Sequence, residues 1–332
     1  MSARAELIED GGRAAAGTEF FRTPQFLAAE GVTHTLRIEA EDIELVAPLI
    51  VRPIGDGPDR DATSPYGYPG LVLPAPDLDD LLPRNGSGPA KPLPSEDAVP
   101  ALDPAAIDFS ATGLVSIFLR HRLSGPTLGA ATPRNVVQIA DPELPRKSRP
   151  SDRRQVRRNF DAGYALRIIR GTFTEPEDRA AFLDVYEQTM RRTGAADHYF
   201  FGAEYFDRIL ETKCSWLALT ETPGGEVAAA SIATESDGFL HYYLSGSADA
   251  HLGDSPMKNI VSSLVEHAEE LGLPLNLGGG IRPGDALEEF KRGFANRTLQ
   301  WRTSEIVCDP GRYRELSSGR EAGDYFPAYR AA

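Results

Sequence analysis

Apolar residues in the second half of the chain alternate between two periods. Met257, Ile260, Val261, Leu264, Val265, Ala268 and Leu271 fall on one side of a helix that Ser255-Pro256 opens and Gly272 closes. Phe182, Leu183, Tyr186 and Met190 mark a second helix over 177–192, and a third is predicted over 203–211. Residues 215–222, 227–235 and 238–245 have strand composition, with turns at Pro223-Gly224-Gly225 and Ser236-Asp237-Gly238. Further strands are predicted at 166–170 and 274–277. The first half gives a short helix over 23–30, ended by Gly31, and strands at 36–38, 44–51, 114–119 and 136–139. Ser64-Pro65-Tyr66-Gly67-Tyr68-Pro69-Gly70 is too rich in Pro and Gly for a helix, and 74–104 reads as a long loop or insert that acts as a lid.

Two stretches carry candidate chemistry. Leu277-Gly278-Gly279-Gly280 opens a loop where backbone can approach a ligand, and Phe290-Lys291-Arg292-Gly293-Phe294 follows. Asp285 and Glu288 have capping-box spacing, Leu287 and Phe290 supply an apolar side, and Gly293 suits the end of the short helix. A lysine returned to a glycine-rich loop can bind phosphate or steady an oxyanion. The same pattern also describes a solvated lysine favoured by the helix dipole. The second stretch, 146–158, is the one basic run: Arg146, Lys147, Arg149, Arg153, Arg154, Arg157 and Arg158 against Asp152 alone. It predicts an exposed loop entering a helix that stops near Gly163, either as a solvated face or as a rim for phosphates whose affinity falls with salt.

Bulk properties narrow these possibilities. A chain of 332 residues exceeds what one core usually organises, so two domains are expected. A net charge of −14 disfavours a dedicated duplex-binding protein while leaving room for a local basic groove. Cys214 and Cys308 are far apart, and Asp197, His198, His241, His251 and His267 form no metal set, so neither a disulfide framework nor a metal site is expected. The N-terminus has no signal-peptide pattern, and no stretch approaches the roughly 20 apolar residues of a membrane span. The expected compartment is the cytoplasm.

Strand, helix, helix, three strands, helix, strand, helix is the element order of an N-acyltransferase domain of the GNAT type. The turn after 238–245, from Gly246 to Pro256, lacks the glycine-rich pyrophosphate pattern of acyl-CoA users and carries Asp249 and Asp254. Several motifs together make the chain resemble the FemABX-like family. They are Tyr186-x-x-Thr189-Met190-x-Arg192, Tyr242-Tyr243-Leu244-Ser245-Gly246-Ser247, Ser255-Pro256 with its helix, Phe290-Lys291-x-Gly293-Phe294, the tyrosine-rich turn at 64–70, and Arg153, Arg154 and Arg157 leading to Ala162-Gly163.

The resemblance implies an α/β (α+β) protein of two tandem GNAT-like domains, each a mixed, mostly antiparallel sheet flanked by helices. The expected boundaries are a flexible N-terminus over 1–18, one domain over 19–160 and a second over 161–332. The implied activity, with no cofactor, is transfer of an amino acid from aminoacyl-tRNA to an amine. Lys291 would stabilise the oxyanion, and the Phe290 backbone would orient the amine. Tyr66, Tyr68, Arg192, Tyr243, Gly279 and Gly280 would contact substrate, and Arg153, Arg154, Arg157 and Arg158 would contact tRNA. The helix over 23–30 has no lysine to grip an acceptor phosphate, which leaves a peptidic or amino-sugar acceptor open beside a peptidoglycan precursor. Two alternatives stand: an acyl-CoA-dependent N-acyltransferase, and a non-catalytic binding protein on the same fold.

Overall fold

The computed structural model describes residues 3–40, 43–74, 102–129, 131–320 and 325–331. The chain forms two compact units, residues 1–134 with 301–332 and residues 135–300. The boundary expected at 160/161 therefore moves. The basic run belongs to the second unit from its start, and the C-terminal segment returns to the first.

In the first unit, β1 (Ala3–Ile8), β2 (His34–Ala40), β3 (Ile43–Pro53) and β4 (Arg60–Thr63) pair antiparallel in sequence order. β6 (Ser116–Arg120) then runs parallel to β4, and the part of β13 (Arg297–Val307) from Thr303 onward pairs antiparallel with β6. The two-residue strand β5 (Ile107–Asp108) lies parallel to β1. Leu36, Ile38, Leu45, Leu49, Ile117, Leu119 and Ile306 fill the core. Helix α1 (Pro24–Ala29) begins where the Thr23 hydroxyl accepts the Phe26 amide, with proline at its first turn.

The second unit repeats this order. β8 (Ala165–Arg170), β9 (Ser215–Glu221), β10 (Val227–Ser236) and β11 (Phe239–Ser247) pair antiparallel in sequence order. β12 (Leu275–Gly278) runs parallel to β11, and β7 (Thr132–Ala140) pairs antiparallel with β12. The strand after β6 thus completes the second sheet, and the strand after β12 completes the first. The expected turn between β10 and β11 has positive φ at both Asp237 and Gly238, the geometry that joins strands by a tight hairpin. Helices α2 (Pro150–Asp161), α3 (Pro176–Thr193), α4 (Ala203–Leu210), α5 (Met257–Leu271) and α6 (Ala286–Arg292) complete the unit, and α7 (Pro310–Leu316) belongs to the first. The predicted apolar face of α5 is the buried one: Ile260, Val261, Leu264 and Val265 pack with Leu240, Leu275, Leu277 and Phe294.

The expectation of a flexible 1–18 is corrected. Residues 3–8 are a strand with Ala3 and Ala5 buried, and the Asp10 carboxylate accepts the amides of Gly12 and Ala14 and the Thr35 hydroxyl. Alternating Ala with Arg and Glu hid it, because alanine is a poor strand former. Of the insert expected at 74–104, residues 75–101 lie outside the described residues.

Candidate active site

The site grows from the end of β12. Gly278 takes φ of 74°, which releases the chain from the sheet into the loop of Gly279 and Gly280. Asp285 gathers the far side of that loop: its carboxylate accepts the amides of Ile281 at 2.7 Å, Arg282 at 2.9 Å and Glu288 at 2.8 Å. It is the N-cap the spacing predicted, and these bonds hold it below the usual carboxylate range. The reciprocal half of the capping box is displaced by one residue, since Glu288 accepts the Gly284 amide instead.

Helix α6 then carries Lys291 inward. The residue is 8% exposed, and Nζ donates to the Gly279 carbonyl at 2.7 Å. Burial pushes the amine from 10.5 down to about 8, with Asp285 pulling weakly the other way. A solvated helix-end lysine would show none of this. Phe290 packs against Phe294 with centroids 5.7 Å apart, and its carbonyl already accepts the Gly293 amide at 3.0 Å. Asn135 donates to the Gly280 carbonyl at 3.2 Å, tying the loop to β7. Lys291, Phe290, Gly279 and Gly280 are thus brought together.

Gly293 does not end α6 in the left-handed conformation, since its φ is −61°. A Cβ there would lie 2.7 Å from the Asp152 carboxylate, so close approach of α2 is what excludes a side chain. Asp152 is buried and paired with Lys258 at 2.9 Å, the Arg149 amide donates to the Gly293 carbonyl at 3.2 Å, and Arg149 pairs with Glu289. The basic helix therefore starts at the end of the helix that bears Lys291. Along α2, Arg153, Arg154, Arg157 and Arg158 are all exposed, and none forms an ion pair among the described residues. The other side of α2 is committed: Asn159 donates to the Asp254 carbonyl at 2.9 Å and to Asn259 Oδ1 at 2.7 Å, and Gln155 donates to the same carbonyl at 3.0 Å.

Other predicted residues have separate surroundings. Arg192 donates to the Ser247 carbonyl and pairs with Asp249. The Tyr243 hydroxyl shares a 2.8 Å hydrogen bond with that of Tyr205. Tyr66 and Tyr68 belong to the first unit. There the Arg120 guanidinium lies 5.4 Å from the ring centroids of both Tyr66 and Trp301, while Tyr68 packs edge-on against Phe21 and Trp301. The buried pairings of Asp152 with Lys258 and of Asn276 with His241 carry no signal in the spacing, because the partners are distant in the chain. Among the described residues no group of three or more His, Cys, Asp or Glu can hold a metal ion, and no helix is long and apolar enough to cross a membrane.

A family model of the acetyltransferase (GNAT) domain matches residues 146–292, from the first arginine of the basic run to the helix that carries Lys291. The chain is similar in structure to FemX, with a TM-score of 0.56 and 10% identity over 85% of this chain and 89% of that one. It is also similar to the C-terminal DUF2156 domain of an Agrobacterium fabrum protein assigned as a lysylphosphatidylglycerol synthetase, with a TM-score of 0.52 and 13% identity over 89% of each chain. No curated protein matches it in sequence. The two findings agree on the fold: residues 146–292 match the GNAT acetyltransferase domain, and the chain over most of its length shares the fold of FemX.

Proposed function

We propose that this protein transfers an amino acid from aminoacyl-tRNA to an amine acceptor in the cytoplasm, forming an amide. The observation that carries the reading is the buried Lys291 ammonium held at the glycine loop, with four exposed arginines, none in an ion pair among the described residues, on the helix that starts beside it. The neutral acceptor amine attacks the carbonyl carbon of the ester that links the amino acid to the terminal ribose. A C–N bond forms, the carbonyl becomes an oxyanion, and the C–O bond to ribose then breaks. The proton lost by nitrogen ends on the ribose oxygen. Lys291 donates to the oxyanion or to the departing oxygen, a role worth about 3–4 kcal/mol in comparable sites. The exposed arginine face takes the phosphates near the acceptor end. The acceptor is a peptidoglycan precursor or a peptidic or amino-sugar natural product.

An acyl-CoA donor is less well served. In a GNAT domain the pyrophosphate would meet the amides between β11 and α5. Here the Lys258 and Asn259 amides donate to Ser255 and Pro256, and α2 side chains bind the Asp254 carbonyl. Asp249 and Asp254 add negative charge to the same turn.

The test is label transfer from a mixed pool of charged tRNA to extract, with acetyl-CoA run in parallel. RNase-sensitive labelling is expected; labelling from acetyl-CoA alone would overturn the donor assignment. Neutralising Arg153, Arg154, Arg157 and Arg158 together should weaken tRNA binding and reduce its log–log salt slope by roughly 3. An unchanged slope would leave α2 as a solvated face.

A further inference from the structure

We infer that Asn276 and His241 are positioning residues that set the glycine loop and, through it, the Lys291 amine. This inference rests on the role given to Lys291 above. β11 and β12 are parallel, with His241 and Asn276 register partners, so both side chains lie on one face of the sheet. Both are buried. His241 Nε2 lies 3.0 Å from the Ser236 carbonyl, which can only accept, so Nε2 carries the proton. His241 Nδ1 lies 3.0 Å from Asn276 Nδ2 and therefore accepts from it. Asn276 Oδ1 in turn accepts the Gly278 amide at 2.9 Å. A flipped amide would set Oδ1 against the Nδ1 lone pair and Nδ2 against the Gly278 N–H, so each group fixes the orientation of the next.

The chain of bonds ends at the active site. The Asn276–Gly278 bond coincides with the register irregularity where β12 leaves β7. The next residue, Gly279, supplies the carbonyl that holds Lys291 Nζ at 2.7 Å. A Cβ on Gly278 would lie 3.2 Å from that same Nζ, so the turn that Asn276 shapes also forms one wall around the amine. The full relay is Ser236 carbonyl, neutral His241, Asn276, Gly278 amide, and then the Gly279 carbonyl on Lys291. Fixing a charged group by fully paired buried neighbours is how a site avoids reorganising during the reaction.

The readout is the titration of Lys291 itself, followed by competitive labelling with acetic anhydride against pH and mass spectrometry of its peptide. It uses no donor or acceptor, so it stands or falls apart from the aminoacyl-transfer assignment. In the native protein the midpoint should lie near 8. Asn276→Leu should move it upward towards 10.5 and speed hydrogen exchange of the Gly278 amide. Leu275→Val, its neighbour in the same core, should leave the midpoint in place. Two variants of His241 separate positioning from packing. Asn at 241 offers an oxygen where Nδ1 stands and keeps the acceptor for Asn276; Gln offers a nitrogen where Nε2 stands and loses that acceptor. His241→Asn should therefore hold the Lys291 midpoint near the native value, whereas His241→Gln should shift it. Equal midpoints in the two His241 variants, or an Asn276→Leu midpoint still near 8, would overturn the inference.

Discussion

In the first unit the strand that runs parallel to its neighbour, β6, ends in Arg120 and continues into His121 and Arg122; in the second, β12 ends in Gly278 and continues into Gly279 and Gly280. The strand orders around these ends are the same, antiparallel up to β4 or β11, then one parallel strand, then one antiparallel strand. What fills the ends differs. His121 is wholly buried, its Nε2 2.7 Å from the Ser304 hydroxyl, and Arg122 is buried with a bond to Glu19. The Trp301 indole covers the His121 carbonyl at 2.9 Å. The second unit leaves the same place to glycine backbone and to one lysine that enters from a separate helix. The first unit fills this strand end with buried side chains, whereas the second leaves it to glycine backbone and the Lys291 amine, where the proposed chemistry would act.

The largest test of this difference is activity. Lys291→Ala should lower transfer at least about 100-fold, the usual cost of one oxyanion donor, with the fold retained by circular dichroism. Arg120→Ala, at the corresponding end of the first unit, should change the chemical step far less. Equal losses would end the division of labour. Because the cation is lost above about 8 while the acceptor amine is gained, rate against pH should be bell-shaped with its falling limb near 8. Lys291→Arg, charged throughout, should remove that limb from whatever activity it keeps.

Next in size is the acid sensitivity of the first unit. Burial lowers His121 from 6.5 to about 4, and its Nδ1 has no hydrogen-bond partner among the described residues. Between those two values the unfolded chain takes up a proton that the folded protein refuses. Stability is therefore lost as pH falls through 6.5 and levels off near 4, to a total of about 3 kcal/mol at about 1.4 kcal/mol per tenfold change. Urea midpoints of the native protein and of His121→Phe, measured at pH 7 and pH 4.5, should diverge by most of that amount. Parallel pH dependences would mean that the histidine is not what closes the strand end at a cost.

Lys291 should show the same sign in a higher pH window. Its folded value lies below its unfolded one, so below about 8 the folded protein carries the full penalty of a buried ammonium, about 3 kcal/mol, and sheds it as pH rises towards 10.5. Lys291→Met removes that penalty together with a hydrogen bond worth about 1 kcal/mol. The inactive variant should be more stable than the native protein by about 2 kcal/mol at pH 7, with the gain shrinking above pH 8. A site kept for function at the expense of stability predicts this pairing of effects.

How much of this was legible in the sequence follows from which forces are local. Period and punctuation placed α3, α4, α5 and α6 and the strands β8 to β12 within a residue or two, because apolar faces, caps and turn glycines are written in neighbouring positions. The Asp285 cap and the proximity of Lys291 to the glycine loop were equally local. β1, β4 and β13 were not found. Arg60–Thr63 has only four residues, and Ala3–Ile8 and Arg297–Val307 mix charge with small or polar residues that become strands only through their neighbours. The exchange of β7 and β13 between units could not be read at all, since no local pattern says which sheet a strand completes. The same holds for the buried partners: Asp152 meets Lys258, and His241 meets Asn276, through tertiary packing alone.

The smallest effect expected is also the sharpest probe of how the basic helix is joined to the lysine. Gly293→Ala adds one carbon at a backbone conformation that any residue adopts, so strain in φ is not involved. The added Cβ would stand 2.7 Å from the Asp152 carboxylate and 3.0 Å from the Phe290 carbonyl. Asp152 cannot retreat freely, because it is buried and holds Lys258 at 2.9 Å. Either α6 or the start of α2 must shift, at a cost of about 1–3 kcal/mol for overpacking of this kind. If the junction matters to function, Gly293→Ala should lower transfer more than an equally destabilising change in the first-unit core such as Ile117→Val, and should weaken tRNA binding along with it. A variant that loses stability while keeping both properties would show that α2 and the lysine-bearing helix act independently, and that the second unit's closeness of basic face and buried amine is a matter of packing.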